Sequence, residues 1–166
     1  MNDKLTQTEE DLMNILAEAI PKSLVTPSKH LSTIIEKAIC TLGRARKEGR
    51  GIPYLQASKG KMVVYPLREI VHWELNIRYD QDELTRLHLE DIMLLFPTKN
   101  YLDKNQLAQI KNVSLSTINR ELSEEKDRRR EDHGSPIGVM YIERDGKIIY
   151  PILDVAKWLS NTIKTY

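Results

Sequence analysis

Residues 44 to 50, Arg-Ala-Arg-Lys-Glu-Gly-Arg, place four cations within seven positions. Guanidinium and ammonium groups at that density suit phosphate oxygens, the first as a planar fork and the second as a point charge. Taken alone, such a run also describes a solvated surface. The charge along the chain is uneven: residues 22–72 hold ten Lys or Arg against three Asp or Glu, a net of +7, whereas 1–21 carry −4, 73–101 carry −3 and 102–166 carry +1, which sum to +1. A nucleophile beside a base, a glycine-rich phosphate loop and a Cys/His cluster at metal spacing are all missing from the sequence. With four scattered histidines and the single Cys40, the expectation is a protein that is no enzyme and takes no cofactor or metal. Cys40 excludes an internal disulfide and suits a reducing cytoplasm.

A basic patch acts only if the backbone presents it, and a repeat defines the presenting unit. At a separation of 85 positions, Ile52 matches Ile137, Val63-Val64-Tyr65-Pro66-Leu67 matches Ile148-Ile149-Tyr150-Pro151-Ile152, Glu69 matches Asp154, Ile70 matches Val155 and Trp73 matches Trp158. The β-branched and aromatic runs follow turn signals, Ser58-Lys59-Gly60-Lys61 and Arg144-Asp145-Gly146-Lys147, so each reads as a β-hairpin with a basic tip. Tyr-Pro then marks a switch from strand to helix, with proline at the first helical position. Leu67, Ile70, Val71 and Glu74, like Ile152, Val155, Ala156 and Leu159, supply an i, i+3, i+4 stripe, and each tryptophan is expected to pack this helix onto its hairpin.

Upstream, Thr41-Leu42-Gly43-Arg44 matches Thr117-Ile118-Asn119-Arg120 at 76 positions. The difference, 85 − 76, assigns nine extra residues to the second copy, where the charged run 123–135 stands; a surface loop tolerates such an insert. Residues 102–122 show the helical part: Leu102, Leu107, Ala108 and Ile110 on a first helix, a turn at Lys111-Asn112-Val113, and a second helix opening at Ser114. Serine can accept from the unpaired N–H groups of a first turn, asparagine tolerates a left-handed turn, and Ile118 with Leu122 forms a buried stripe. This is a helix-turn-helix with a hairpin behind it.

The ordered set resembles the excisionase-like and MerR-like winged helix-turn-helix domains of bacteria and their phages. The first copy carries Val25-Thr26, Thr41-Leu42-Gly43-Arg44, Gly49-Arg50-Gly51-Ile52-Pro53-Tyr54, Tyr65-Pro66, Glu69 and Trp73; the second carries Asn112-Val113-Ser114, Thr117-Ile118-Asn119-Arg120, Tyr150-Pro151, Asp154 and Trp158-Leu159. The first copy has Glu36-Lys37-Ala38 in place of the family's Gly-Val-Ser turn, and the second lacks the GxGxPY lead into the wing. The resemblance implies a mostly α fold with small β-hairpin wings (α+β), two winged units in tandem joined by a helical linker. The expected divisions are 1–21, 22–77, 78–100 and 101–166.

By the same resemblance the second helix of each motif enters the DNA major groove. Cys40, Thr41, Gly43 and Arg44 face the groove in the first copy, with Arg46, Lys47 and Arg50 on phosphates. Ser114, Ser116, Thr117, Asn119 and Arg120 form the second set. Arginine can read guanine and asparagine adenine with paired hydrogen bonds, which favours Arg44, Asn119 and Arg120 as base readers. Thr41 and Thr117 could equally cap or pack. Lys59, Lys61, Arg144 and Lys147 at the wing tips would reach the minor groove or its phosphates, or simply be solvated.

Two segments lie outside the repeat. Residues 8–20 form an amphipathic helix with Leu12, Ile15, Leu16 and Ala19 on one face, and residues 80–96 form another with Leu84, Leu87, Met93 and Leu94. Both could cover small cores, or the first could mediate self-association. No apolar stretch approaches a membrane span, so no membrane partner and a cytoplasmic location are expected. The leading functional expectation is a sequence-specific double-stranded DNA-binding protein: a transcriptional regulator, an excision factor, or an origin or partition-site binder. The alternative is an adaptor whose winged units bind a protein, which the nearly neutral second copy permits.

Overall fold

The computed structural model describes residues 2–56, 62–130 and 138–162. It is mostly helical with two small antiparallel sheets, as the composition of motifs implies. In chain order the elements are α1 (Asn2–Ala19), β1 (Val25–Pro27), α2 (Ser28–Ile34), α3 (Ile39–Lys47), β2 (Val64–Pro66), α4 (Leu67–Glu74), α5 (Gln81–Leu95), β3 (Tyr101–Leu102), α6 (Lys104–Lys111), α7 (Leu115–Arg130), β4 (Ile142–Arg144), β5 (Lys147–Pro151) and α8 (Ile152–Ser160). β1 pairs with β2, and β5 lies between β3 and β4.

The order runs twice through helix, strand, helix, helix, hairpin and helix, and the backbone repeats in detail. Thr26 faces Tyr65 as Leu102 faces Tyr150, and Val25 faces Pro66 as Tyr101 faces Pro151. The N–H of Leu67 donates to Leu24 O at 2.9 Å, and that of Ile152 to Asn100 O at 3.1 Å. Lys22 and Thr98, 76 positions apart, both adopt positive φ, 64° and 67°. The 76-residue offset therefore extends upstream of the helix pair. Leu16 in α1 and Ile92 in α5 are buried counterparts, and α1 packs on α4 as α5 packs on α8. The helix expected as a linker holds the place in the second half that α1 holds in the first.

Several local expectations are corrected. Pro66 and Pro151 close their strands at the N-cap, one position before the helix, with extended ψ of 136° and 134°. Leu102 lies in β3, because Asp103 caps α6 with a reciprocal pair of hydrogen bonds to Gln106 (2.8 and 2.9 Å) and so fixes the helix start. Much of the charged insert is helical, since α7 continues to Arg130. The buried face of α1 carries Glu9 and Leu16, continued by Ile20 just after the helix, which leaves Ile15 exposed; that of α5 carries Leu84, His88, Asp91 and Ile92, which leaves Met93 and Leu94 exposed. Both stripes are rotated because polar residues with partners occupy the inward positions. Each tryptophan ring lies beside a lysine of the helix pair, Lys37 Nζ 5.0 Å from Trp73 and Lys111 Nζ 4.7 Å from Trp158.

The halves do not have separate cores. One cluster holds Leu16, Ile20, Leu31, Leu42, Tyr65 and Ile70 of the first half. The other joins Leu24, Val25 and Leu55 to Ile92, Leu107, Ile110, Ile118, Tyr150 and Val155. Hydrogen bonds to backbone carbonyls cross the same seam: Leu24 N–H donates to Ile110 O at 3.1 Å, and Ser23 Oγ donates to Gln109 O at 2.6 Å. Burying apolar surface at about 25 cal/mol per Å² makes this seam a stabilising contact for both halves.

Candidate nucleic-acid interface

Each half presents two helices joined by a sharp turn. In the second, α6 ends at Asn112 in the left-handed region (φ 55°, ψ 45°), and Val113 N–H reaches back to Ala108 O at 3.0 Å. In the first, Glu36 takes φ 54° and Lys37 N–H reaches Ser32 O at 3.0 Å. These are the same bonds 76 positions apart, so Glu36-Lys37-Ala38 makes the turn without glycine or asparagine. An L-residue other than asparagine is strained there. α7 is then capped: Thr117 N–H donates to Ser114 Oγ at 3.3 Å. α3 begins after Ala38 without a side-chain cap, and only the Ala38 carbonyl accepts, from Thr41 and Leu42. Leu42 and Ile118 anchor the two helices inward.

That anchoring leaves the opposite face outward. Cys40, Thr41, Arg44 and Lys47 are exposed on α3, with Gly43 half-buried; Ser116, Asn119 and Arg120 are exposed on α7, with Thr117 half-buried. Ser114, exposed just before α7, is also within 2.9 Å of Ser116 Oγ. Arg50 is exposed but bridges to Glu48 at 2.5 Å. Arg46 is turned inward: its guanidinium donates to Tyr65 Oη and lies 5.7 Å and 5.9 Å from the Tyr54 and Tyr65 ring centroids. It is half-buried in this slot rather than displayed with its neighbours on the outer face. Lys59 and Lys61 lie outside the described residues. Arg144 and Lys147 flank Asp145 and Gly146, both at positive φ (52° and 74°), which is the two-residue hairpin turn that matches strand twist. Arg144 also covers the Tyr101 ring at 5.8 Å.

The two hairpins align differently from the sequence match. Leu55 pairs with Val64, and Ile142 with Ile149, so the rising arms correspond at 87 positions. The insert is then 87 − 76, or eleven residues, and the second tip is two residues shorter. On this register Gly51-Ile52-Pro53-Tyr54 corresponds to Gly138-Val139-Met140-Tyr141, and the Ile52–Ile137 match falls on residue 137, outside the described residues. Tyr54 meets Tyr65 with centroids 6.5 Å apart, and Tyr141 meets Tyr150 at 6.5 Å. The second half thus keeps one glycine and the tyrosine of the lead into its hairpin, at Gly138 and Tyr141, but neither the lead's first glycine nor its proline. An insertion followed by a deletion hides a match from any single offset.

Also unforeseen is the buried polar cluster behind the first half. Arg68 on α4 donates to Glu9 of α1 at 2.9 Å and to both carboxylate oxygens of Asp91 on α5. His72 Nε2 lies 2.8 Å from Glu9 Oε1, and Tyr79 donates to Glu9 Oε2 at 3.2 Å. Burial resists ionisation of Glu9, but hydrogen bonds from His72 and Arg68 hold its pKa below the usual carboxylate value. Burial pushes Asp91 up and His72 down. One sequence signal existed: Glu9 stands seven residues before Leu16 and Asp91 seven after Leu84, on buried helix faces where a charge needs a partner. Arg68, counted in the +7, is consequently neutralised inside and adds little to the outer field.

Among the described residues no helix is long and apolar enough to cross a membrane, and no group of histidine, cysteine and acidic residues could hold a metal ion. No family model, curated protein or solved structure matches the chain.

Proposed function

We propose that the chain is a sequence-specific double-stranded DNA-binding protein built from two winged helix-turn-helix units, one in each half, with α3 and α7 as the major-groove helices. The observation that carries this reading is the outward face of the first two turns of those helices. Arg44 on one and Asn119 with Arg120 on the other are exposed and enter no ion pair among the described residues. A planar fork and an amide offered to solvent in the N-terminal half of a helix suit base edges. Lys47 and Arg50 beside them suit phosphates. The hairpins act as wings, and the seam between halves holds the two readers in a fixed relation, which favours one continuous site over two independent ones.

The experiment uses the full chain: selection from random duplexes, then mobility shifts on the selected site and on unrelated DNA at two salt concentrations. Arg44→Ala and Asn119→Ala should each cost the selected site about 1–3 kcal/mol more than unrelated DNA. Retardation of neither DNA at low salt would overturn the proposal, and equal losses on both would remove these residues from the reading set. The adaptor reading has one point in its favour. α7 carries Glu121, Glu124, Glu125 and Asp127 directly after its readers, and carboxylates oppose phosphates. Loss of specificity from Arg44→Ala with none from Asn119→Ala would assign the second unit to a protein partner.

A further inference from the structure

We infer that copies of this chain associate head to tail, through a joint that repeats between molecules the seam between its own halves. The seam is heterologous: one side of the first half meets a different side of the second. The first half brings Val25, Leu55 and Arg68 to it, and the second brings Asp91, Gln109 and Ile110. Because the halves share one backbone plan, the first half also possesses the second kind of side, and the second half the first kind. The seam uses one example of each and leaves the other two for a second copy of the chain.

These two outer sides are apolar where ends meant for solvent would be polar. Val25 and Leu55 are buried, but their counterparts at the offsets of 76 and 87, Tyr101 and Ile142, are 41% and 40% exposed, even with Arg144 beside the tyrosine. The ion pair of the seam, Arg68 with Asp91, corresponds to Leu153 on α8 and Ile15 on α1, which are 46% and 60% exposed. The joint therefore sets leucine against isoleucine where the seam sets arginine against aspartate. Gln109 and Ile110 correspond to Thr33, exposed, and Ile34, half-buried, at the end of α2. The last carbonyls of a helix lack donors within it, and Asn100, the counterpart of Leu24, has the N–H that the seam's backbone bond to Ile110 requires. Single exposed apolar residues are ordinary on a protein surface. Four of them at the counterparts of one buried contact are not, because a stack of repeats remains soluble as a single chain by capping its ends with polar faces.

A heterologous joint offers a fresh end to every copy added, so association does not stop at a pair. Within the chain, residues 75–80 tether the halves between α4 and α5; between chains no tether raises the effective concentration, so the joint forms only in more concentrated protein. The test is sedimentation equilibrium of the full-length protein, without nucleic acid, from micromolar to millimolar concentration. The expected weight-average mass rises with concentration and passes that of a dimer. Ile15→Asp and Leu153→Asp, each at an exposed position, should both weaken association about ten-fold or more by burying an unpaired carboxylate in the joint. An equimolar mixture of the two should regain association and stop at the dimer, because one supplies an intact α8 side, the other an intact α1 side, and the pair has no intact end left. Tyr101→Asp, on the same side, takes the place of Leu153→Asp if that variant does not fold. A protein that stays monomeric at millimolar concentration, a rise that ends at the dimer in the unaltered chain, unchanged association in either folded variant, or a mixture that behaves as its separate components would each overturn the inference. No DNA enters the experiment, so its outcome is independent of the proposed function.

Discussion

The two halves reach one backbone plan by different local chemistry. The second half is locally well specified: a reciprocal cap at Asp103 and Gln106, asparagine at the left-handed turn, serine before α7, and Asp-Gly at the hairpin tip. The first half does without most of these. α2 begins after Pro27 and α3 after Ala38, each without a side-chain cap, and Glu36 takes the left-handed turn. It is held instead from outside its helix pair, by Arg46 clamped on two tyrosines and by Arg68 tied to α1 and α5. Local signals and distant side chains are interchangeable means of fixing the same turn. A half that lacks the first depends on the second.

That dependence can be broken most severely at Arg68. Arg68→Ala leaves Glu9 and Asp91 buried without their cation, and should cost about 3–5 kcal/mol. Thermal or urea unfolding measures it, and a loss below about 1 kcal/mol would mean that α1 does not rely on this cluster. Since α1 covers only the first core, exchange protection should fall first in α1–α4 and later in α6–α8.

Acid should act on the same cluster. His72 and Glu9 both have folded pKa values depressed from 6.5 and 4.5, so the stability each contributes is full above those values and is lost as pH falls through the folded ones. Asp91, raised from 3.8, works in the opposite sense and softens the loss. The melting temperature should decline below about pH 6.5 and more steeply below about 4.5. His72→Gln should remove the upper part of that decline; a profile unchanged by it would sever His72 from the effect.

Caps offer a smaller and sharper comparison. Ser114→Ala should cost about 1 kcal/mol, and Ala38→Ser should stabilise by a similar amount by giving α3 the acceptor that α7 already has. Equal and negligible effects in urea melts would show that the halves do not differ in capping. The smallest effect is expected at Gly43. A Cβ there would meet Arg46 Nη2 at 3.6 Å, an ordinary contact, so Gly43→Ala should stabilise α3 by about 0.5–1 kcal/mol. If the same change weakens DNA binding, glycine is kept for close approach to the duplex.

The sequence by itself determined the elements whose signals are local. Both strand-to-helix switches at Tyr-Pro, the turn at Asn112, the cap at Ser114 and the buried pair Ile118 and Leu122 were legible, because each depends on neighbours within a turn of helix or a hairpin. The family resemblance also put Arg44, Asn119 and Arg120 on an outward face, and all three are exposed. Only the tertiary structure decided the rest. Arg46 looks like its basic neighbours until Tyr54 and Tyr65 stand beside it, and Arg68 looks like surface charge until α1 and α5 bring Glu9 and Asp91 to it. The true length of the insert depended on strand register, which pairing fixes and a linear offset cannot. The seam from Leu24 to Ile110 makes one packed body of what reads as two units, because apolar surface is buried wherever faces meet, and no spacing along the chain encodes which faces those are.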